Sequence, residues 1–137
     1  KYCLAATAQR GGMRLTPKEG LKLGLAKADF KLARSYARKV VDTDEDDVHA
    51  NFALGMSYFT EKQYGRAEMY LKKCLIRAPD EPAVLNNLAI VQLRIGRYAE
   101  AEANAMKALK HFPDSSEIKT TLRHIRAAMD ERKETKK

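Results

Sequence analysis

The feature that most constrains this chain is a period of 34 residues. Ala33, Ala67 and Ala101 are equally spaced, as are Phe30, Tyr64 and Tyr98. Val40, Cys74 and Ala108 keep the same interval, and so do Glu45, Pro79 and Pro113. A fixed period of this length implies a solenoid of helical hairpins rather than one closed globular core. It also points to a class of function, because such arrays present a long curved surface and bind other molecules.

Composition agrees with an all-helical, globular chain. Hydrophobic residues make up 45% and charged residues 32%, Pro is held to four, and Trp is absent. No run approaches the roughly 18–20 apolar residues that cross a bilayer. The two cysteines, Cys3 and Cys74, have no metal or disulfide spacing. Cys74 falls where the other repeats place Val40 and Ala108, so it reads as a small buried hydrophobe, and cysteine usage leans weakly toward a reducing, cytoplasmic setting. The net charge of +8 is uneven: residues 1–41 carry ten Lys or Arg against Glu19 and Asp29, whereas 42–47 hold five acids. Basic ends flank a nearly neutral middle, which favours anionic partners without selecting nucleic acid.

Each repeat divides into two helical stripes. Leu54, Gly55, Tyr58 and Phe59 recur as Leu88, Ala89, Gln92 and Leu93. After a break, Tyr64, Ala67, Leu71, Cys74 and Leu75 recur as Tyr98, Ala101, Ala105, Ala108 and Leu109. Thr16-Pro17-Lys18-Glu19 has the form of a capping box with Pro at the first helical position, and Asp46 and Asp47 precede a further start. Asp114 and Glu117 suggest a second capping box. The predicted helices are 17–27, 30–42, 48–60, 64–78, 82–94, 98–111 and 115–133.

With these residues in place, the chain resembles the tetratricopeptide repeat family. Residues 48–81 match its pattern through Leu54, Gly55, Tyr58, Tyr64, Ala67, Leu71, Cys74 and Pro79, and 82–115 through Leu88, Ala89, Tyr98, Ala101, Ala105, Ala108 and Pro113. Residues 14–47 diverge, with Leu21 at the usual small position and Glu45 in place of proline, so a wider first hairpin is expected. The resemblance implies an all-α, right-handed superhelical array of antiparallel hairpins. Stepping the register back makes 1–13 the second helix of a preceding unit, hence a piece of a longer array. Residues 116–133 read as a capping helix, with Ile118, Leu122, Ile125 and Met129 on one face, and 134–137 as a charged tail.

Catalysis has little support in the residues. His49, His111 and His124 are dispersed in the repeat, and neither a phosphate loop nor a nucleophile elbow is present. The acidic run from Asp42 superficially matches a calcium loop, but Asp47 stands where glycine is needed and Ala53 where glutamate is needed. No enzyme activity, cofactor or metal is implied. The family resemblance instead implies that the first helix of each hairpin lines a concave groove. By repeat position the groove residues are Lys18, Lys22, His49, Phe52, Ala53, Met56, Asn86, Asn87, Ile90 and Arg94, with Thr121 and His124 extending the wall. Phe52, Met56 and Ile90 offer apolar contacts, and Asn86 and Asn87 can bond a peptide backbone.

The family's chaperone-tail clamp is not matched. Lys18 fits its first position, but Lys22, Ala53, Ala83 and Asn87 stand where asparagine, asparagine, lysine and arginine are required. The expected partner is therefore another protein, held as an extended peptide or helix. Binding of nucleic acid or another polyanion through the basic section 1–41 is the alternative, and an apolar face left at a cut first end would allow self-association.

Overall fold

The computed structural model describes residues 14–135, which form seven α-helices: α1 (Pro17–Ala26), α2 (Phe30–Thr43), α3 (Val48–Thr60), α4 (Tyr64–Arg77), α5 (Pro82–Arg94), α6 (Tyr98–His111) and α7 (Ser116–Thr135). The expected remnant helix at 1–13 lies outside the described residues. Elsewhere the helices begin and end within two residues of the positions read from the sequence. The difference at the C-terminus is that α7 continues two residues into the expected tail, to Thr135. Nothing in that stretch breaks a helix, and Arg132 and Lys133 favour its negative end.

Local chemistry explains the starts. Thr16 Oγ1 accepts from the Glu19 amide at 3.2 Å while Glu19 Oε1 accepts from the Thr16 amide at 2.9 Å, which closes the capping box on α1. Asp29 caps α2 through the Leu32 amide, and Asp47 caps α3 through the Ala50 amide. The α7 cap is corrected by one residue: Ser115 Oγ, not Asp114, accepts from the Ile118 amide at 3.3 Å.

The turns repeat as faithfully as the helices. Inside each hairpin one amide reaches back five residues to a carbonyl: Asp29 to Gly24 at 2.8 Å, Gln63 to Tyr58 at 2.9 Å and Arg97 to Gln92 at 2.8 Å. The residue before each of those amides takes a left-handed backbone at Ala28 (φ 53°), Lys62 (φ 61°) and Gly96 (φ 82°). Between hairpins, Asp47 to Asp44, Glu81 to Ala78 and Ser115 to Phe112 close matching turns at 3.2–3.3 Å. Only Gly96 has the residue type this backbone prefers.

Close approach of helix backbones sets the hairpin geometry. Gly55 faces Ala67 and Leu71, and a Cβ there would meet Leu71 Cγ at 3.0 Å. The expectation of a wide first hairpin is overturned. Leu21 is buried in the core with Ala33, Ala37, Val40 and Leu54, and the small position has moved one turn along, to Gly24. A Cβ at Gly24 would lie 2.7 Å from the Ala33 amide nitrogen, so α1 and α2 touch backbone to backbone. Gly20 provides a second gap, filled by the Tyr36 ring.

A polar seam then ties each hairpin to the next at a spacing of 24 residues. Arg34 of α2 lies over the Tyr58 ring at 4.2 Å, Glu68 of α4 accepts from Gln92 at 3.2 Å, and Glu102 of α6 accepts from Arg126 at 3.0 Å. The middle junction is the most elaborate. Buried Glu68 also takes two bonds from Arg97, at 2.8 and 2.9 Å, and Gln92 Oε1 accepts from Asn104 at 2.7 Å. Buried polar groups of this kind stabilise only when fully partnered, as these are. Asp44 adds a further link between α2 and α4, holding Arg77 bidentately at 2.7 and 2.9 Å.

Two outcomes follow from this geometry. Gly24→Ala, which presses on the Ala33 backbone, should cost about 2–3 kcal/mol, whereas Gly55→Ala, which presses on the Leu71 side chain, should cost about 1 kcal/mol or less. Chemical unfolding of the two variants checks the order. The Arg77 guanidinium holds the Asp44 carboxyl below its ordinary value of 3.8. A depressed carboxyl contributes stability above its unfolded pKa, lost as pH falls through the folded one. Asp44→Asn should therefore lower the thermal midpoint at neutral pH, and its difference from the parent should shrink as the pH falls below the ordinary carboxylate value.

Candidate peptide-binding groove

The expected groove residues of the first helices lie at different depths. Lys18 and Lys22 on α1 and His49 in the first turn of α3 are exposed. Lys18 lies near enough to Asp44 to help hold its carboxyl ionised, although Arg77 is the main cause. Phe52 and Met56 are half-buried, and Phe52 packs on the core formed by Tyr58, Leu71, Val84 and Leu88. Ala53 is corrected: it is fully buried beside Leu21 and Leu54 and offers the groove no surface.

The asparagine pair is split as well. Asn87 is half-buried, but Asn86 is only 4% exposed, and its Oδ1 is sealed from solvent with no hydrogen-bond donor. An orphaned buried acceptor costs about 1–3 kcal/mol and calls for an explanation. One turn along α5, Ile90 is half-buried and Arg94 exposed. Those two side chains meet Leu93 from the same helix and Ser116, Glu117, Thr120, Thr121 and His124 from α7 around a hollow of about 360 Å³.

This hollow joins four residues that the sequence placed on one wall: Ile90, Arg94, Thr121 and His124. Lys18, Lys22, His49, Phe52, Met56, Asn86 and Asn87 do not line it. Its floor is apolar, from Ile90 and Leu93, and its rim carries both signs of charge, from Arg94 and Glu117. Thr121 spends its hydroxyl within α7, donating to the Glu117 carbonyl at 3.1 Å. Leu93, Ser116, Glu117 and Thr120 were missed in the sequence. Leu93 read as a core stripe, and α7 read as a cap whose inner turn had no repeat to index it.

Among the described residues, no group of three His, Cys, Asp or Glu side chains is placed to hold a metal ion, and no helix is long and apolar enough to cross a membrane. Burial pushes the Cys74 thiol up to about 12, so it is unreactive at neutral pH.

Known proteins give the same architecture. Two profiles described as tetratricopeptide repeat match residues 58–125 and 24–82. The chain belongs to the tetratricopeptide repeat family. Its array is similar to TPR repeat-containing protein PA4667 of Pseudomonas aeruginosa, at 32% identity over 78 residues and 56% of this chain, and it spans 13% of that protein's length. The fold is also that of the first TPR domain of human RPAP3, with a TM-score of 0.75, 17% identity, and 87% of this chain and 94% of that one covered. The first TPR of Spaghetti (RPAP3), solved with an HSP90 peptide, aligns with a TM-score of 0.74 at 18% identity, covering 83% of this chain and 90% of that one.

The orphaned Asn86 acceptor gives this tetratricopeptide array a testable signature. Asn86→Leu should leave the thermal midpoint unchanged or raise it, because it removes an unmatched polar atom from a buried site. A clear loss of stability in a melting experiment would show that Asn86 is held by its surroundings.

Proposed function

We propose that the chain is a protein–protein interaction scaffold that binds an extended peptide or a helix of a partner across α1, α3, α5 and α7. The hollow between α5 and α7 carries this reading. It pairs an apolar floor at Ile90 and Leu93 with a polar rim at Arg94, Glu117, Thr120 and His124, the balance that peptide grooves use for affinity and orientation. Phe52 and Met56 on α3 extend the apolar surface, each half-buried, with part of its surface open to a ligand. Asn87, half-buried, would bond the ligand backbone.

Peptide capture by a similar fold, the Spaghetti domain with its HSP90 peptide, supports the class of function. The ligand here would differ in kind. Lys22, Ala53, Ala83 and Asn87 replace the side chains of the family's carboxylate clamp, so a free C-terminal carboxylate is not the anchor. The role is binding rather than catalysis, and no cofactor takes part.

Phe52→Ala combined with Met56→Ala should weaken capture of the partner about tenfold or more while leaving helicity nearly unchanged. Affinity capture at moderate salt, after nuclease treatment, with quantification of the retained protein, measures this. Equal recovery by parent and double variant would move the site off the first helices. Recovery abolished in the parent by nuclease or salt would favour polyanion binding through the basic section 1–41.

A further inference from the structure

The junction between the first two hairpins differs in charge from the two that follow. At the second and third junctions the second helix contributes a carboxylate, Glu68 or Glu102, which meets cations or an amide. At the first, the same repeat position holds Arg34. Its guanidinium carbon lies 4.2 Å from the centre of the Tyr58 ring, and that of Arg66, from α4, lies 5.6 Å from it. Arg38 Nη2 donates to the Tyr58 hydroxyl at 3.2 Å. Three guanidinium groups thus gather on one buried ring.

Among the described residues, a single carboxylate answers them. Glu61 pairs with Arg34 at 2.7 Å, and among the described residues no carboxylate comes within 4.0 Å of Arg38, Arg66 or Lys73. Lys73 stands 5.6 Å from the Tyr70 ring, which stacks on Tyr58 at 5.5 Å with 9° between planes. Arg38 and Arg66 are nonetheless exposed. The arrangement concentrates positive charge and leaves it open to solvent.

We propose that this cluster, Arg38 and Arg66 flanked by Arg34 and Lys73, docks a phosphomonoester carried by a partner protein. Guanidinium forks match phosphate oxygens bidentately, and a phosphomonoester dianion would supply the charge that a carboxylate supplies at the other junctions. Nucleic acid fits less well. Single strands are held by stacking bases on open aromatic faces, and here Tyr58 is buried between Tyr70 and the arginines. At 100° per residue, Tyr58 also lies far round α3 from Phe52 and Met56. The site is therefore separate from the groove and stands independently of the groove reading.

Fluorescence anisotropy on the full chain tests this with three labelled probes: a peptide pool with central phosphoserine and randomised neutral flanks, its unphosphorylated counterpart, and a short oligothymidine. The phosphopeptides should bind about tenfold more tightly than the unphosphorylated pool. Arg66→Gln and Arg38→Gln should each remove most of that preference with helicity unchanged, and Arg123→Gln on α7 should leave it intact. Equal affinity for the two peptide pools would overturn the proposal, as would a preference that survives both substitutions. Oligothymidine binding more tightly than the phosphopeptides and weakened by the same substitutions would also overturn it, making the surface a nucleic-acid one.

Discussion

The close approach of paired helices at Gly24 and Gly55 is the constraint on which the rest of the structure depends. Where Gly24 meets Ala33 there is no room for a single extra carbon, and Gly55 against Leu71 leaves little more. This contact fixes the angle at which two helices leave their turn. The angle in turn decides which residues face the next hairpin and which face the groove. Large side chains such as Leu54, Leu71 and Leu88 fill the space on either side of the contact. The core is thus a continuous band along the array rather than a centre, and each unit is stable because its neighbours cover it.

Stacking is directed by the polar seam at 24-residue spacing. A cation over a ring, a carboxylate on an amide, and a carboxylate on a guanidinium occupy corresponding places at successive junctions. Apolar bands tolerate sliding, whereas directional bonds between fixed partners do not. The seam therefore selects one register from the several that the apolar surfaces would allow. It also explains how similar backbones come to carry different surface charge at each junction.

Much of the fold was legible because short-range rules and a long-range period agreed. Thr16, Asp29 and Asp47 mark helix starts by their own chemistry, and the 34-residue period then transfers each boundary to the next unit. The first hairpin was misread because the pattern was followed by position rather than by size. Leu21 held the expected place, while the small residue had moved one turn to Gly24. The seam was illegible for a related reason: its positions repeat, but its residue types do not. Burial depth in the groove was equally hidden. Period and face place Ala53 and Asn86 inward, but only the packing of neighbouring helices decides that both are covered while Ile90 and Arg94 remain open. The inner turn of α7 completes a hollow that no internal repeat could index.

The claim that the first helices carry the function is best tested by site-specific photo-cross-linking in an extract of the cells that make the protein. A photoreactive residue at Ile90 would report on the groove, and one at Met106, exposed on α6, on the outer face. The account predicts a discrete protein adduct from position 90 that survives nuclease, and none from position 106. The same adduct from position 106 with none from position 90 would contradict it and place the binding surface on the second helices.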